Sequence, residues 1–229
     1  MKRVITFLFV LAMVLGISMQ AQAALELRGE DSLGNRLIYD NDLNITWYDY
    51  SNSASNWQTQ VNWASGLSVD FEGTIFDDWR LPTTVDGPND EGYDGSTTAG
   101  FNITSSEMGH LFYTEIGNKA YYDTSGGGPQ SGWGLTNTGD FQKLLSNYYW
   151  SGTEYSANPT NAWGFNTYTG NQTKYNKDVT SYAIAVRPGD VSVAVAPEPV
   201  SMVLFGVGGV VLAARRRFVP NRKLFRRRG

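Results

Sequence analysis

Three aromatic side chains in one glycine-rich stretch, Tyr121, Tyr122 and Trp133, have the flat apolar faces that stack on sugar rings. They lie in residues 121–140, where Gly126, Gly127 and Gly128 and scattered polar residues have the composition of a long loop. Aromatics beside Asn and Asp suit carbohydrate recognition; the same composition also fits an ordinary loop. A second loop, residues 86–100, carries Asp86, Asp90, Glu91 and Asp94 among Gly87, Gly92 and Gly95. Hard oxygen ligands on a pliable backbone are what calcium takes, so these four are the candidate metal ligands. Their spacing is not that of an EF-hand, and Asp-Gly runs also make solvated turns. No other cofactor is indicated.

Catalytic chemistry has less to work with. The chain has no cysteine, which removes thiol nucleophiles, thiolate metal sites and disulfides together. Its one histidine, His110, falls about 200° round a helix from Met108, away from the apolar face. That makes His110 an expected surface residue, with no second histidine for a metal site and no Ser-His-Asp assembly. Carboxylate pairs such as Asp77 with Asp78 are common in so acidic a chain and identify no glycosidase by themselves. The expectation is a non-catalytic binding or structural module; the alternative is a hydrolase acting on glycans or surface proteins.

The elements that must position these residues are partly visible. Arg36-Leu37-Ile38-Tyr39 and Asn44-Ile45-Thr46-Trp47-Tyr48 are β-branched and aromatic runs around Asp40-Asn41-Asp42, a hairpin signal. Trp57, Val61, Ala64 and Leu67 fall at offsets 0, 4, 7 and 10, the apolar face of a helix with Gln58, Gln60 and Asn62 outside. Ser55 or Asn56 can cap it, and Gly66 lies near its end. Trp79, Arg80 and Leu81 alternate as in a short strand that Pro82 stops. Thr104-Ser105-Ser106-Glu107 reads as a capping box before a helix with Met108, Leu111, Phe112 and Ile116 on one face. Strands are expected at 148–151, 162–165, 172–175 and 182–187, with a hairpin turn at 168–171. The residues themselves thus give a hairpin, two helices and a late run of short strands.

Charge divides the chain into unlike parts. Residues 24–195 carry 21 acidic and 8 basic side chains, a net of −13, whereas residues 215–229 carry 8 basic and none acidic. An acidic domain of 172 residues suits one core and argues against a nucleic-acid partner, which needs a basic footprint. At the N-terminus Lys2 and Arg3 precede an apolar stretch and Ala21-Gln22-Ala23, the form of a Sec signal peptide over residues 1–23.

Three phrases in the middle of the chain, DDWRLPT (77–83), YYWSGTE (148–154) and YAIAVRPG (182–189), with NAWGF (161–165) between the last two, resemble the Lcl C-terminal-like domain found at the end of bacterial collagen-like proteins. The resemblance covers about residues 37–189. It implies a single α+β domain over residues 24–191, C-type-lectin-like or formylglycine-generating-enzyme-like, with two helices and short antiparallel strands. The cysteine pair on which formylglycine-generating enzymes depend has no counterpart here, so that activity is not implied. Trp79, Trp150 and Trp163 in these phrases read as inward residues of short strands, and Arg80 and Arg187 as partners for carboxylates such as Asp78 or Glu154.

After a linker at 192–199 containing Pro197, Glu198 and Pro199 comes an apolar run, residues 200–214, and then Arg215, Arg216 and Arg217. Prolines withhold amide donors and keep the tripeptide extended. Fifteen residues make a helix of about 22 Å at roughly 1.5 Å each, short for a hydrocarbon core of about 30 Å. The arginines resist translocation, which leaves residues 215–229 as a cytoplasmic tail. The order and spacing resemble the PEP-CTERM sorting signal of Gram-negative bacteria. That resemblance implies Sec export, transient anchoring of residues 200–214 in the inner membrane and processing by an exosortase. It also implies delivery to the cell surface or to the exopolysaccharide matrix of a biofilm. An ordinary, unprocessed tail anchor is the other reading.

Overall fold

Consecutive residues of a strand point to opposite faces of its sheet, and here both faces are buried. In the computed structural model, which describes residues 24–192, Leu37, Tyr48, Trp150, Ala183 and Ala185 enter one apolar core. Their chain neighbours Ile38, Trp47, Tyr149 and Ile184 enter another on the far side. This is why the strand sequences read as continuous apolar and aromatic runs with little polar alternation.

Among the described residues the sheet has nine strands: β1 (Leu25–Glu30), β2 (Arg36–Asp40), β3 (Ile45–Ser55), β6 (Glu91–Gly92), β7 (Ala99–Gly100), β8 (Tyr148–Glu154), β9 (Asn161–Asn166), β10 (Asn171–Asn176) and β11 (Ser181–Pro188). Their spatial order is β1-β2-β3-β11-β8-β9-β10-β7-β6. A separate two-stranded sheet joins β4 (Val69–Phe71) to β5 (Thr74–Phe76). The class is mixed α+β, mostly sheet. The expected hairpin forms as β2 with β3, and Asn171 pairs with Asn166 across the expected turn between β9 and β10. The pairing is not antiparallel throughout: β11 runs parallel to β8, and β6 parallel to β7. At the β6–β7 edge the backbones approach so closely that a Cβ on Gly100, whose φ is +113°, would sit 1.9 Å from the Gly92 carbonyl oxygen. The Trp79–Leu81 stretch forms no strand, only a single bridge from Arg80 to Val186.

Helix α1 (Trp57–Ser65) covers the first core. The Asn56 side chain accepts from the Thr59 amide at 2.9 Å, and Gly66 closes the far end, as the caps predict. The face differs from expectation. Trp57 and Ala64 are buried, but Val61 and Leu67 only partly, and Gln60, expected outside, is fully buried. Its amide donates to the Ser53 and Ser181 carbonyls at 2.8 and 2.9 Å and accepts from Asn52 at 2.7 Å, so a polar side chain is buried with its hydrogen bonds made.

The second helix packs on the opposite core and changes character along its length. One α-turn, α2 (Glu107–Gly109), passes into a π-helix (His110–Glu115). Its apolar face is as expected: Met108, Leu111, Phe112 and Ile116 are all buried. The capping box beginning at Thr104 does not form. Ser106 is the cap, accepting from the Gly109 amide, and Glu107 is drawn away into a two-pronged pair with Arg80, both contacts 2.7 Å. Arg187 takes Asp78 as expected, and Glu154 pairs with Lys177.

Among the described residues no helix is long and apolar enough to cross a membrane. The expected signal peptide (1–23), apolar segment (200–214) and basic tail, with Pro197, Glu198, Pro199, Arg215, Arg216 and Arg217, lie outside the described residues.

Candidate functional site

Residues 121–140 contain no strand or helix, yet they are tied down at several points. The Tyr121 amide donates to the Thr169 carbonyl at 2.8 Å, and Gln130 donates from its side chain to the Ala120 and Tyr122 carbonyls, both at 2.9 Å. Asp123 gathers the glycine turn, accepting from the amides of Ser125 and Gly127 and from the Ser125 hydroxyl. These bonds hold its carboxylate below the ordinary range, the Ser125 hydroxyl contributing most. Gly134, with φ +85°, passes so close to the Tyr168 carbonyl that a Cβ there would meet it at 2.8 Å.

The anchoring places Tyr121, Tyr122 and Trp133 in one aromatic ribbon. Tyr168, from the β9–β10 turn, meets the Trp133 ring edge-to-face at 4.9 Å; Trp133 meets Tyr121 at 4.9 Å; Tyr121 meets Tyr122 at 4.8 Å; and Tyr122 meets Tyr93 at 5.2 Å. Phe101 lies buried beneath the far end, stacked on Tyr93 at 5.9 Å. Tyr168 is 54% exposed and Tyr93 39%, while the three middle rings are half-buried. Perpendicular ring contacts fix the orientation of each ring against its neighbour. The Tyr113 hydroxyl ties this region to the π-helix, donating to the Gly170 carbonyl and accepting from the Asn102 amide. Burial pushes that hydroxyl's pKa up, so it stays protonated and keeps donating.

Tyr121, Tyr122 and Trp133 were legible in the sequence as a group. Tyr93 and Tyr168 were not, because they arrive from strand connections distant in the chain. The four acidic-loop residues are not brought together. Asp86 accepts from the Trp163 indole at 2.8 Å, Asp94 from the Ser96 amide and hydroxyl, and Glu91 from Asn171 at 3.3 Å, while Asp90 is exposed. The three tryptophans read as inward, Trp79, Trp150 and Trp163, are all in the interior.

His110 departs from its expectation. It is not a free surface side chain: Nε2 lies 2.8 Å from Glu115 Oε1 and 3.9 Å from Asp42 Oδ2. Asp40, at the end of β2, completes a group in which one ligating atom from each of Asp40, His110 and Glu115 lies within 4.8 Å of the others. Burial, and then the charge of Asp40, push the Glu115 carboxyl above its ordinary pKa, against the opposing hydrogen bond to His110. No sequence signal marked this group, because its members pair only after the sheet and the π-helix are assembled.

Compared with known protein families, with characterised proteins and with solved structures, the chain finds no match.

Proposed function

We propose that this protein is exported through the Sec machinery and retained in the inner membrane by residues 200–214. An exosortase then processes it near Pro197-Glu198-Pro199 and releases it to the cell surface or extracellular matrix. There it acts as a non-catalytic binding or structural module of the exopolysaccharide layer. Its domain belongs with the Lcl C-terminal-like family, on a base of the C-type-lectin and formylglycine-generating-enzyme kind.

The observation that carries the binding role is the aromatic ribbon. Tyr121, Tyr122 and Trp133, on a loop held by backbone bonds, connect edge-to-face with one another and with Tyr93 and Tyr168 at ring spacings of 4.8–5.2 Å. A connected set of rings suits a chain of sugars, because each sugar has an apolar face and the ring orientations are set before binding. The acidic surface favours neutral over anionic polysaccharide. A glycan array probed with the mature protein tests this reading. Binding to extended neutral glycans, lost in Trp133→Ala, supports it. Release of shortened products would instead make the protein a hydrolase. Intact-mass analysis from the native host tests the itinerary: the mature chain should begin near Ala24 and lack the segment from about residue 200 onward.

A further inference from the structure

Asp40 and Glu115 pose an electrostatic problem for this fold. Asp40 is fully buried and the Glu115 side chain is 2% exposed, and neither has a lysine or arginine within salt-bridge distance among the described residues. Two carboxylates taken out of water beside each other repel and lose hydration unless a cation joins them. Among the described residues the only basic group at hand is the His110 imidazole, which brings at most one positive charge.

The backbone puts the imidazole there by an unusual route. On an α-helix, residues five apart point about 140° away from each other. In the π-turn, where the Ile116 amide donates to the Leu111 carbonyl, the wider winding brings His110 and Glu115 to 2.8 Å. Asp40 approaches from β2 with its orientation already set: one oxygen accepts from the Leu43 amide at 3.0 Å, the other from the Trp47 indole at 3.2 Å. Such outer hydrogen bonds are how proteins aim a ligating carboxylate. Beside Glu115 lies an open cleft of about 320 Å³ with a mixed lining, Asp42, Asn137 and Asp140 facing Leu25 and Ile116, wide enough to admit water.

We propose that Asp40, His110 and Glu115 bind one divalent transition-metal ion of the zinc or manganese type, with water from the cleft completing its shell. The ion sits where His110 Nε2 and Glu115 Oε1 now face each other at 2.8 Å, and takes both as ligands. One imidazole nitrogen with two carboxylates favours zinc or manganese over calcium, and the chain has no thiolate to divert the metal. A neutral histidine with two carboxylates leaves a charge that a divalent cation matches. The site is separate from the acidic loop at 86–94 and does not rest on the polysaccharide-binding role.

The test uses the full chain in detergent, without a polyhistidine tag and stripped with chelator. Zinc and manganese chlorides are each titrated by calorimetry. Because His110 is the sole histidine, nitrogen-detected NMR of its imidazole reports the site without assignment. One equivalent of zinc or manganese should bind. Zinc should shift the Nε2 resonance, manganese should broaden it, and the metal that binds should raise the melting temperature. His110→Ala and Glu115→Gln should each weaken binding by about 10-fold or more. Glu115→Gln keeps the side-chain volume and removes a buried charge, so it is expected to fold, which circular dichroism checks. The inference is overturned if the folded wild type binds neither metal. It is equally overturned if binding survives unchanged in Glu115→Gln, or if saturation leaves the imidazole signal unmoved.

Discussion

Trp150 and Trp133 are the same side chain put to opposite uses. Trp150 stands in the middle of β8, fully buried, its indole donating to the Ser55 carbonyl at 3.1 Å. Trp133 sits on a loop, half-buried, held edge-to-face between Tyr121 and Tyr168. A ring in a sheet buried on both faces spends its whole surface on packing, so its removal is felt as lost stability. A ring on an anchored loop keeps surface free, so if the proposed binding role holds, its removal is felt as lost binding. Aromatic content alone does not separate the two; what separates them is whether the backbone beneath is strand or loop.

The largest effect expected from this contrast is on stability. Trp150→Ala should cost about 3–5 kcal/mol, the usual range for an aromatic-to-alanine change in a core. Urea unfolding measures it, and a cost below about 1 kcal/mol would place Trp150 with the ribbon. Next comes binding. Trp133→Ala should weaken the affinity for polysaccharide by about 2 kcal/mol, roughly 30-fold, as for a central aromatic contact. Its unfolding midpoint should stay near the wild type. A large stability loss with unchanged binding would reverse the roles assigned to the two tryptophans.

Trp163→Phe should have a smaller effect. It keeps most of a buried ring but removes the indole hydrogen bond to Asp86, a loss of about 1 kcal/mol near neutral pH. That loss should depend on pH. Hydrogen bonds from Ser156 and Trp163 hold the Asp86 carboxyl below its ordinary range. A depressed folded pKa stabilises above the unfolded value of about 3.9, and the contribution is lost as pH falls through the folded value. The gap between wild type and Trp163→Phe should therefore shrink as pH falls below about 4. A gap that stays constant down to pH 2 would show that the cost was packing, as for Trp150. The smallest effect is local: Asn56→Ala should cost about 1 kcal/mol through the lost cap on α1, with no effect on binding at the ribbon.

How much was legible follows from how far each feature reaches along the chain. The β2–β3 hairpin, the turn between β9 and β10, the Asn56 cap and the apolar face at Met108, Leu111, Phe112 and Ile116 rest on residues within a few positions of each other. All were readable. Gln60 was misread because its partners, Ser53, Ser181 and Asn52, belong to β3 and β11. The Thr104 capping box was misread because Arg80, 27 residues upstream of Glu107, competes for the same carboxylate. Within the candidate sites, Tyr121, Tyr122 and Trp133 were visible as a cluster. The acidic loop looked equally promising, yet its side chains turn to separate partners.

By itself the sequence determined the mix of helix and strand, the β2–β3 hairpin, the cores of β8 to β11, both ends of α1, and the acidic middle set against a basic end. These depend on composition, on periodicity and on hydrogen bonds between near neighbours, and they survive whatever the rest of the chain does. β1, the full reach of β3 and the start of the second helix were not read. Only the tertiary structure decided that β11 lies between β3 and β8 and that the sheet carries a core on each face. Only there does Tyr168 reach Trp133, and does a π-turn swing His110 onto Glu115 beside Asp40. Those contacts join residues dozens of positions apart or depend on a local widening of the helix. They form because packing on both faces of the sheet outweighs what any short stretch prefers alone.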